Sequence, residues 1–246
     1  MHTHDWVAEQ ATCGCRVLRC QECGVAKSRE KCALHQPHKH CSRCYYLQEL
    51  HGMQDMIPRH MHIVAEYQTA LINMGVDVPR GEFPARVLDI GCGIGYFAPF
   101  FLGLGYQYEG IEMDTWASRY VRSAYMVTTH NCAFEDFDGA RQWDAIVASH
   151  VVEHFQDAPR QLARILEMLK PGGRFYGIIP EGSDLGNPDH EWFFPEGAIE
   201  RWLDELGFVE IRTYCANVVP YERFIYLAAE KPLTNTCELC TIQVDN

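Results

Sequence analysis

The sequence predicts an α/β fold, a doubly wound and mainly parallel sheet of seven strands, preceded by a small cysteine-rich module. Three observations carry that expectation. Strand-like apolar runs alternate with helix-spaced apolar stretches from about residue 86 to residue 229, the pattern of successive βαβ units. The first of these runs ends in an aspartate, Asp89, and leads into three alternating glycines, Gly91, Gly93 and Gly95. Seven of the twelve cysteines and five of the twelve histidines crowd into the first 50 of 246 residues.

The cysteine-rich segment, residues 1–50, has few large apolar side chains and needs another source of folding energy. Cys20-x2-Cys23 and Cys41-x2-Cys44 are separated by seventeen residues, a spacing typical of a tetrathiolate zinc site. Cys13-x-Cys15 and Cys32-x2-His35 alternate with them. Four such pairs can hold two zinc ions in an interleaved arrangement, the first and third pairs on one ion and the second and fourth on the other. A single ion uses fewer, and His38 and His40 are spare donors. Disulfides are the competing account. A chain whose amino terminus carries neither the charge nor the apolar stretch of a secretion signal is expected in the cytoplasm, where thiols stay reduced. Sites with four protein ligands leave no open position for chemistry, so a structural role is expected for the metal. Cys237-x2-Cys240 near the carboxyl terminus joins this cluster or stands apart; the spacing does not choose.

Residues 51–84 read as a covering helix and a linker. Met56, Ile57, Met61, Val64, Tyr67, Leu71 and Ile72 recur at helical spacing over His51 to Gly75, and Pro58 begins or kinks the run. Pro79 and Pro84 then break the chain. From residue 85 to 231 strands are expected near 86–90, 107–111, 126–130, 144–148, 174–179, 208–214 and 223–229. Residues 232–246 form a tail. No apolar run reaches the roughly 18 residues that span a bilayer, so no membrane partner is expected.

Charge divides unevenly. The first 50 residues hold seven Lys or Arg against five Asp or Glu, leaving 14 against 28 on the remainder, a net of −14. Such a body repels phosphate backbones, which argues against a nucleic-acid partner. Only Arg16, Arg19, Lys27, Arg29, Lys31, Lys39 and Arg43 can form a basic footprint.

The glycine turn carries the chemistry. Glycines remove the Cβ atoms that block close approach of a ligand to backbone. The spacing is G-x-G-x-G, not the G-x-G-x-x-G of dinucleotide binders, and no Lys followed by Ser or Thr comes after it, which excludes a Walker-type phosphate loop. A second apolar run, Tyr108 to Ile111, ends at Glu112 about 20 residues on, where a carboxylate can accept hydrogen bonds from both hydroxyls of a ribose. Asp89 would repel a pyrophosphate but can pair with an ammonium group.

On these residues the chain resembles the class I S-adenosylmethionine-dependent methyltransferases, whose first motif is an acidic residue and G-x-G-x-G after an apolar strand. Val151-Val-Glu153-His154 followed by Leu169-Lys-Pro171-Gly-Gly173 is similar to the signature of one subgroup, which includes the ubiquinone-biosynthesis O-methyltransferases. The resemblance spans roughly Met53 to Lys231. It implies S-adenosylmethionine bound by Asp89, Gly91, Cys92, Gly93, Gly95, Glu112, Met113, Phe134, Glu135 and Ser149. The family's usual acid before the alanine is here Cys132. It also implies an acceptor held in line with the methyl–sulfur bond and relieved of any blocking proton, for which His150 and His154 are the expected bases. His190 and Glu191 fall on the loop that usually closes the acceptor pocket, and Tyr214, Tyr221, Glu222 and Arg223 can line its far wall. Related enzymes use a Glu-Glu-His metal set. Glu153 and His154 match its last two members, but Ser149 stands where the first glutamate would, so catalytic magnesium is not expected.

The function expected is transfer of a methyl group to a small-molecule acceptor, at oxygen. One alternative is an RNA or protein methyltransferase whose zinc module holds the substrate. Another is a non-catalytic zinc-dependent binding protein, against which the intact glycines, Asp89 and Glu112 argue. The sequence is silent on the acceptor's identity and on oligomeric state.

Overall fold

A computed structural model describes residues 5–10, 16–28, 64–78, 84–139, 142–182, 190–219 and 222–233. The expected ligands Cys13, Cys15, Cys32, His35, Cys41 and Cys44, the Cys237–Cys240 pair, Tyr221 and the first half of the covering helix lie outside these residues.

The central sheet has seven strands: β4 (Arg86–Ile90), β5 (Gln107–Ile111), β6 (Thr128–His130), β7 (Trp143–Ser149), β8 (Leu169–Pro180), β10 (Val209–Val219) and β11 (Glu222–Glu230). Their order across the sheet is β10-β11-β8-β7-β4-β5-β6. Strands β4 to β8 pair in parallel, and only β11 runs antiparallel to both its neighbours. The strand order reverses beside β4, so the crevice at its carboxyl end is where a ligand of an open α/β sheet is expected.

Both faces of the sheet are covered, which is why its strands are continuous apolar runs instead of alternating ones. Leu88, Ile90 and Ile146 pack on one face against Leu162 and Ile165 of α4 (Ala158–Met168) and Trp202 of α5 (Ala198–Leu206). On the other face, Val87, Val147 and Tyr176 meet Leu71 and Met74 from and just after α1 (residues 64–73), Phe101 of α2 (Ala98–Gly103) and Val121 of α3 (Thr115–Tyr125). Local signals set the helix ends. The Asp114 side chain accepts from the Ala117 N–H at 2.8 Å and caps α3, and Asp157 does the same for Arg160 at the start of α4.

Two expectations shift. The strand expected at 126–130 begins at Thr128, because Met126 takes a left-handed conformation, φ 54°, that ends α3. The strand expected at 174–179 starts earlier, at Leu169. Gly172 N–H donates to the Lys231 carbonyl and Lys231 N–H to the Gly173 carbonyl, each at 2.9 Å, so the Pro171-Gly-Gly173 turn is held to the end of β11.

The amino-terminal segment contributes strands that the sequence did not suggest. β1 (Trp6–Gln10), β2 (Arg16–Cys20) and β3 (Ala26–Ser28) form an antiparallel sheet whose fourth strand is β9 (Trp192–Phe193), contributed by the segment between β8 and α5. Among the described residues no helix is long and apolar enough to cross a membrane.

Candidate active site

The glycine turn sits at the carboxyl end of β4 and is built as the sequence requires. Gly91, Gly93 and Gly95 all take positive φ, 67°, 53° and 82°, a region that side chains with a Cβ seldom occupy. Space excludes them as well: a Cβ on Gly91 would lie 2.4 Å from Val151 Cγ2, and one on Gly95 2.8 Å from the Tyr125 ring. Cys92 between them is buried, its sulfur packed where a Cβ on Gly110 would fall. It offers a ligand only its backbone.

Two carboxylates flank the turn. Glu112, at the end of β5, is nearly buried; one oxygen accepts from Gly93 N–H at 2.9 Å and the other from Asp114 N–H at 2.7 Å. Burial raises its pKa, and these backbone donors partly offset the rise. A carboxylate has about four lone-pair sites, so Glu112 keeps acceptor capacity toward the crevice. Asp89 is 1% exposed and accepts from the Tyr108 hydroxyl at 2.6 Å. Burial pushes its pKa up to about 7, opposed by the Tyr108 hydrogen bond and reinforced by the nearby Glu112 charge. Among the described residues no cation pairs with it.

The loops after β5 and β6 line the same crevice. Met113 is 74% exposed beside Glu112. Asn131 donates to the carbonyls of Glu112 and Met113, both at 2.9 Å, and accepts from the Thr115 hydroxyl. Phe134 and Glu135 open a short 3-10 turn that ends at Asp136; Cys132 just before it is partly buried. The Arg164 guanidinium, reaching from α4, donates to the carbonyls of Phe134, Glu135 and Phe137 and lies 4.7 Å from the Phe134 ring centre. Three carbonyls on one guanidinium make this turn's position depend on one side chain. Arg164→Ala is expected to weaken nucleoside binding roughly 3- to 30-fold, a part of the about 1.5–3 kcal/mol of a charge-assisted hydrogen bond, since the guanidinium acts on the ligand only through the turn. Calorimetric titration with S-adenosylhomocysteine checks this, and an unchanged affinity would mean the turn is held by its own packing.

A second cluster occupies the end of β7. Ser149 closes that strand, and His150 follows with φ 55°, an uncommon conformation for a residue other than glycine and one that concentrates at functional positions. The His150 Nε2 is 2.7 Å from the Tyr67 hydroxyl of α1, and its Nδ1 is 3.7 Å from Glu153 Oε1. Burial lowers the His150 pKa to about 4, with the His190 and His154 charges acting the same way. Glu153 is 1% exposed, and neither carboxylate oxygen accepts a hydrogen bond from another described residue. Burial raises its pKa to about 8.

His154 lies in a 3-10 turn, Val152–His154. Its Nε2 is 3.9 Å from Glu153 Oε1, and its ring is 4.9 Å from that of His190. Donor atoms of Glu153, His154 and His190 all fall within 4.8 Å of one another. Glu191, next in the chain, ties its N–H to the Glu153 carbonyl at 2.8 Å. Tyr214 instead stacks on Tyr226, 4.9 Å between ring centres, within the β10–β11 pair, and Arg223 pairs with Glu196 at 2.7 Å.

Sequence reasoning named the carboxylates and the histidines as candidates but not the residues that support them. Tyr67 reads only as an apolar position of an amphipathic helix, Tyr108 as a strand residue, and Arg164 as the polar face of α4. None carries a sequence signal, because each acts on a residue at least 19 positions away.

Of the cysteines expected to bind metal, Cys20 and Cys23 fall among the described residues. Both are buried, at the turn between β2 and β3, with their sulfurs in contact.

Comparison with known proteins agrees with this geometry. Residues 59–213 match a family described as a methyltransferase domain. The ubiquinone biosynthesis O-methyltransferase of Rhodopseudomonas palustris (strain BisB5) is 32% identical over 147 residues, which are 50% of this chain and 58% of that protein. The enzyme of the same description from Nitrobacter winogradskyi is 38% identical over 93 residues, 36% of each chain. This chain thus spans between about a third and three fifths of the length of these relatives. Among solved structures, Burkholderia thailandensis 1,6-didemethyltoxoflavin-N1-methyltransferase, with bound 1,6-didemethyltoxoflavin and S-adenosylhomocysteine, superposes with a TM-score of 0.57 at 20% identity, covering 85% of this chain and 96% of that one. Haemonchus contortus phosphoethanolamine N-methyltransferase 2, in complex with S-adenosyl-L-methionine, gives 0.58 at 16% identity over 68% and 52% of the two chains. At such identities the likeness is one of fold. With its family match covering well over half of its residues, the chain belongs to the methyltransferase-domain family.

Proposed function

We propose that this protein binds S-adenosylmethionine in the crevice above β4 and β5 and transfers its methyl group to a small-molecule acceptor, at oxygen. The observation that carries the reading is the juxtaposition of a glycine-lined backbone cradle, flanked by Asp89 and Glu112, with an imidazole-lined mouth at the ends of β4 and β7. The cradle fits the cofactor on its own geometry. Gly91 and Gly95 leave open backbone that any Cβ would fill. Glu112 would take the ribose hydroxyls, and Asp89, a buried acid that no cation among the described residues pairs with, the ammonium. Met113, Phe134 and Glu135 would border the adenine, and the backbone at Cys92 and Ser149 would complete the wall. The sulfonium supplies an already electrophilic methyl. The chain's own residues must then orient the acceptor and remove its proton. We assign that role to His150, which has Tyr67 on one ring nitrogen and Glu153 3.7 Å from the other, with His154 as the second candidate. An acidic body favours a small molecule over nucleic acid. The ubiquinone-pathway relatives act at oxygen by their name.

A metal-assisted form of this reaction is favoured by one observation. Glu153, buried and with no hydrogen-bond donor among the described residues, faces His154 and His190 at ligand separations. Two imidazoles with one carboxylate suit a borderline cation such as zinc, iron or manganese better than magnesium. Such an ion would hold and polarise an acceptor hydroxyl. The residues 1–50 are read as a structural zinc module separate from this cluster.

Calorimetric titration of the full chain with S-adenosylhomocysteine tests the reading. Wild type should bind, and Glu112→Ala should bind at least 10-fold more weakly, since a ribose held by a charged acceptor contributes about 1.5–3 kcal/mol. Absence of binding to the wild type would refute it. A divalent-ion screen read against Glu153→Gln decides between the metal-free and metal-assisted forms.

A further inference from the structure

Just past the end of β6, one side chain holds the loop that carries the Glu112 carboxylate. The parallel register of β5 and β6 sets His130 opposite Ile111, and the Glu112 N–H donates to the His130 carbonyl at 3.0 Å. Asn131 therefore emerges beside the loop that leads into α3. Its amide nitrogen donates to the carbonyls of Glu112 and Met113, each at 2.9 Å, and its oxygen accepts from the Thr115 hydroxyl at 2.9 Å. A primary amide offers two donors and an acceptor. The two carbonyls fix which way it faces, because a carbonyl can accept only from the nitrogen.

The holder is itself held. β6 has three residues and lies at the edge of the sheet, at the short end of strand lengths, and α3 grips it. The Thr129 hydroxyl donates to the Ser118 carbonyl at 3.0 Å and accepts from the Ser118 hydroxyl at 3.1 Å, while Arg122 donates to the Thr129 carbonyl at 2.9 Å. His130 Nε2 lies 2.9 Å from Glu109, which also accepts from Arg86 at 2.6 Å. α3 thus fixes β6 through Thr129, and the end of β6 fixes the entry to α3 through Asn131. The loop so fixed aims Glu112: one carboxylate oxygen accepts from Asp114 N–H at 2.7 Å, so its direction follows that stretch of backbone. Met113 stands in the same stretch, 74% exposed. Asn131 is exposed, so water can replace its donors, and its loss costs geometry more than stability.

We propose that Asn131 is a positioning residue of the cofactor site, fixing the loop at residues 112–115 so that Glu112 meets the ribose hydroxyls and Met113 borders the adenine. This rests on the reading of the crevice as an S-adenosylmethionine site and deepens it. Asn131 touches no ligand in this scheme. It acts on the nucleoside half of the cofactor alone, because Asp89 at the ammonium end takes its hydrogen bond from Tyr108 and not from this loop.

The test uses the full chain and two variants. Asn131→Ala removes all three bonds, whereas Asn131→Asp keeps the shape and the acceptor for Thr115 but turns an oxygen toward the two carbonyls. By calorimetry each should lower affinity for S-adenosylhomocysteine about 3- to 30-fold, the range of one or two neutral hydrogen bonds felt indirectly. Affinity for 5′-methylthioadenosine, which has the nucleoside but no amino-acid end, should fall by the same factor. In a Glu112→Ala background the further loss from Asn131→Ala should shrink to about 2-fold or less, as for groups that act through one another. In the ligand-free protein, amide exchange at Gly93 and Asp114, the two donors to Glu112, should quicken about 10-fold or more in Asn131→Ala while the amides of β7 keep their protection. A merely destabilised fold would quicken both sets. Affinity within about 2-fold of wild type, losses that add in full to that of Glu112→Ala, or unchanged exchange at Asp114 would each overturn the proposal. Failure of the wild type to bind S-adenosylhomocysteine would instead strike the methyltransferase reading, and the exchange measurement would still decide whether Asn131 fixes Glu112.

Discussion

Asp89→Ala is expected to lower affinity for S-adenosylhomocysteine by on the order of 10²- to 10³-fold, the largest effect on cofactor binding of any single substitution in the crevice. The reason is electrostatic. Asp89 is 1% exposed and accepts one hydrogen bond, from Tyr108, so an incoming ammonium would find its counter-charge in a place where water screens little. Deleting one partner of a buried ion pair costs about 3–5 kcal/mol, since the other charge is left desolvated and alone. The same burial gives the binding a pH dependence. With its pKa raised to about 7 by burial, Asp89 is largely protonated below that pH in the free protein, and pairing with a cation requires the carboxylate. Affinity should therefore be full above pH 8 and weaken as pH falls through 7, with uptake of the ligand releasing a proton. Calorimetry in two buffers of different ionisation enthalpy measures that proton. Asp89→Asn keeps the shape and the Tyr108 contact but should bind weakly at every pH. An Asn variant with wild-type affinity would remove Asp89 from the site.

His150→Asn is expected to reduce methyl transfer by about 10²- to 10⁴-fold, the usual contribution of a general base, while leaving S-adenosylhomocysteine affinity nearly unchanged. Asparagine is chosen because it tolerates the left-handed backbone at this position, where φ is 55°, so the loss reads the imidazole and not the turn. The pH profile separates a base from a packing residue. Burial and the neighbouring His190 and His154 hold the His150 pKa down to about 4. A lowered histidine pKa means that the neutral, proton-accepting ring persists as pH falls. At saturating cofactor, where its ammonium keeps Asp89 ionised, the rate should hold through pH 6.5, where an exposed histidine would fail, and drop only toward pH 4. Tyr67→Phe removes the 2.7 Å contact to Nε2 and should shift that lower limb without abolishing turnover. A break at pH 6.5 that survives His150→Asn, or a variant within about 3-fold of wild type, would assign the base elsewhere.

The legibility of these features follows the range over which each is determined. The glycine turn could be read because its requirement is local. Positive φ at three positions within five residues strongly favours glycine, because one such residue with a Cβ is tolerated, as at Met126 and His150, but a run of them is costly. Glu112 could be read because a βαβ unit has a nearly fixed length, so the second strand must end about 20 residues later. The parallel sheet followed from continuous apolar runs separated by helix-spaced ones. In contrast, β1, β2 and β3 carry no such run, and β9 is two residues whose partners in the sheet, Lys27 and Ala26, are 165 and 167 positions earlier.

What the sequence determined by itself is thus the αβ order, the backbone cradle and the identity of its two acids, all set by steric rules and apolar periodicity within single units. Tertiary structure alone decided which groups meet across units. It put Tyr67 on His150, Tyr108 on Asp89, Arg164 under the Phe134 turn, and His190 beside Glu153 and His154. The physical reason is that sheet pairing and helix packing bring distant residues within hydrogen-bond reach only after the apolar faces are buried. Burial then changes what those residues are, turning Asp89 from an ordinary acid into one that titrates near 7 and His150 into a base that stays neutral.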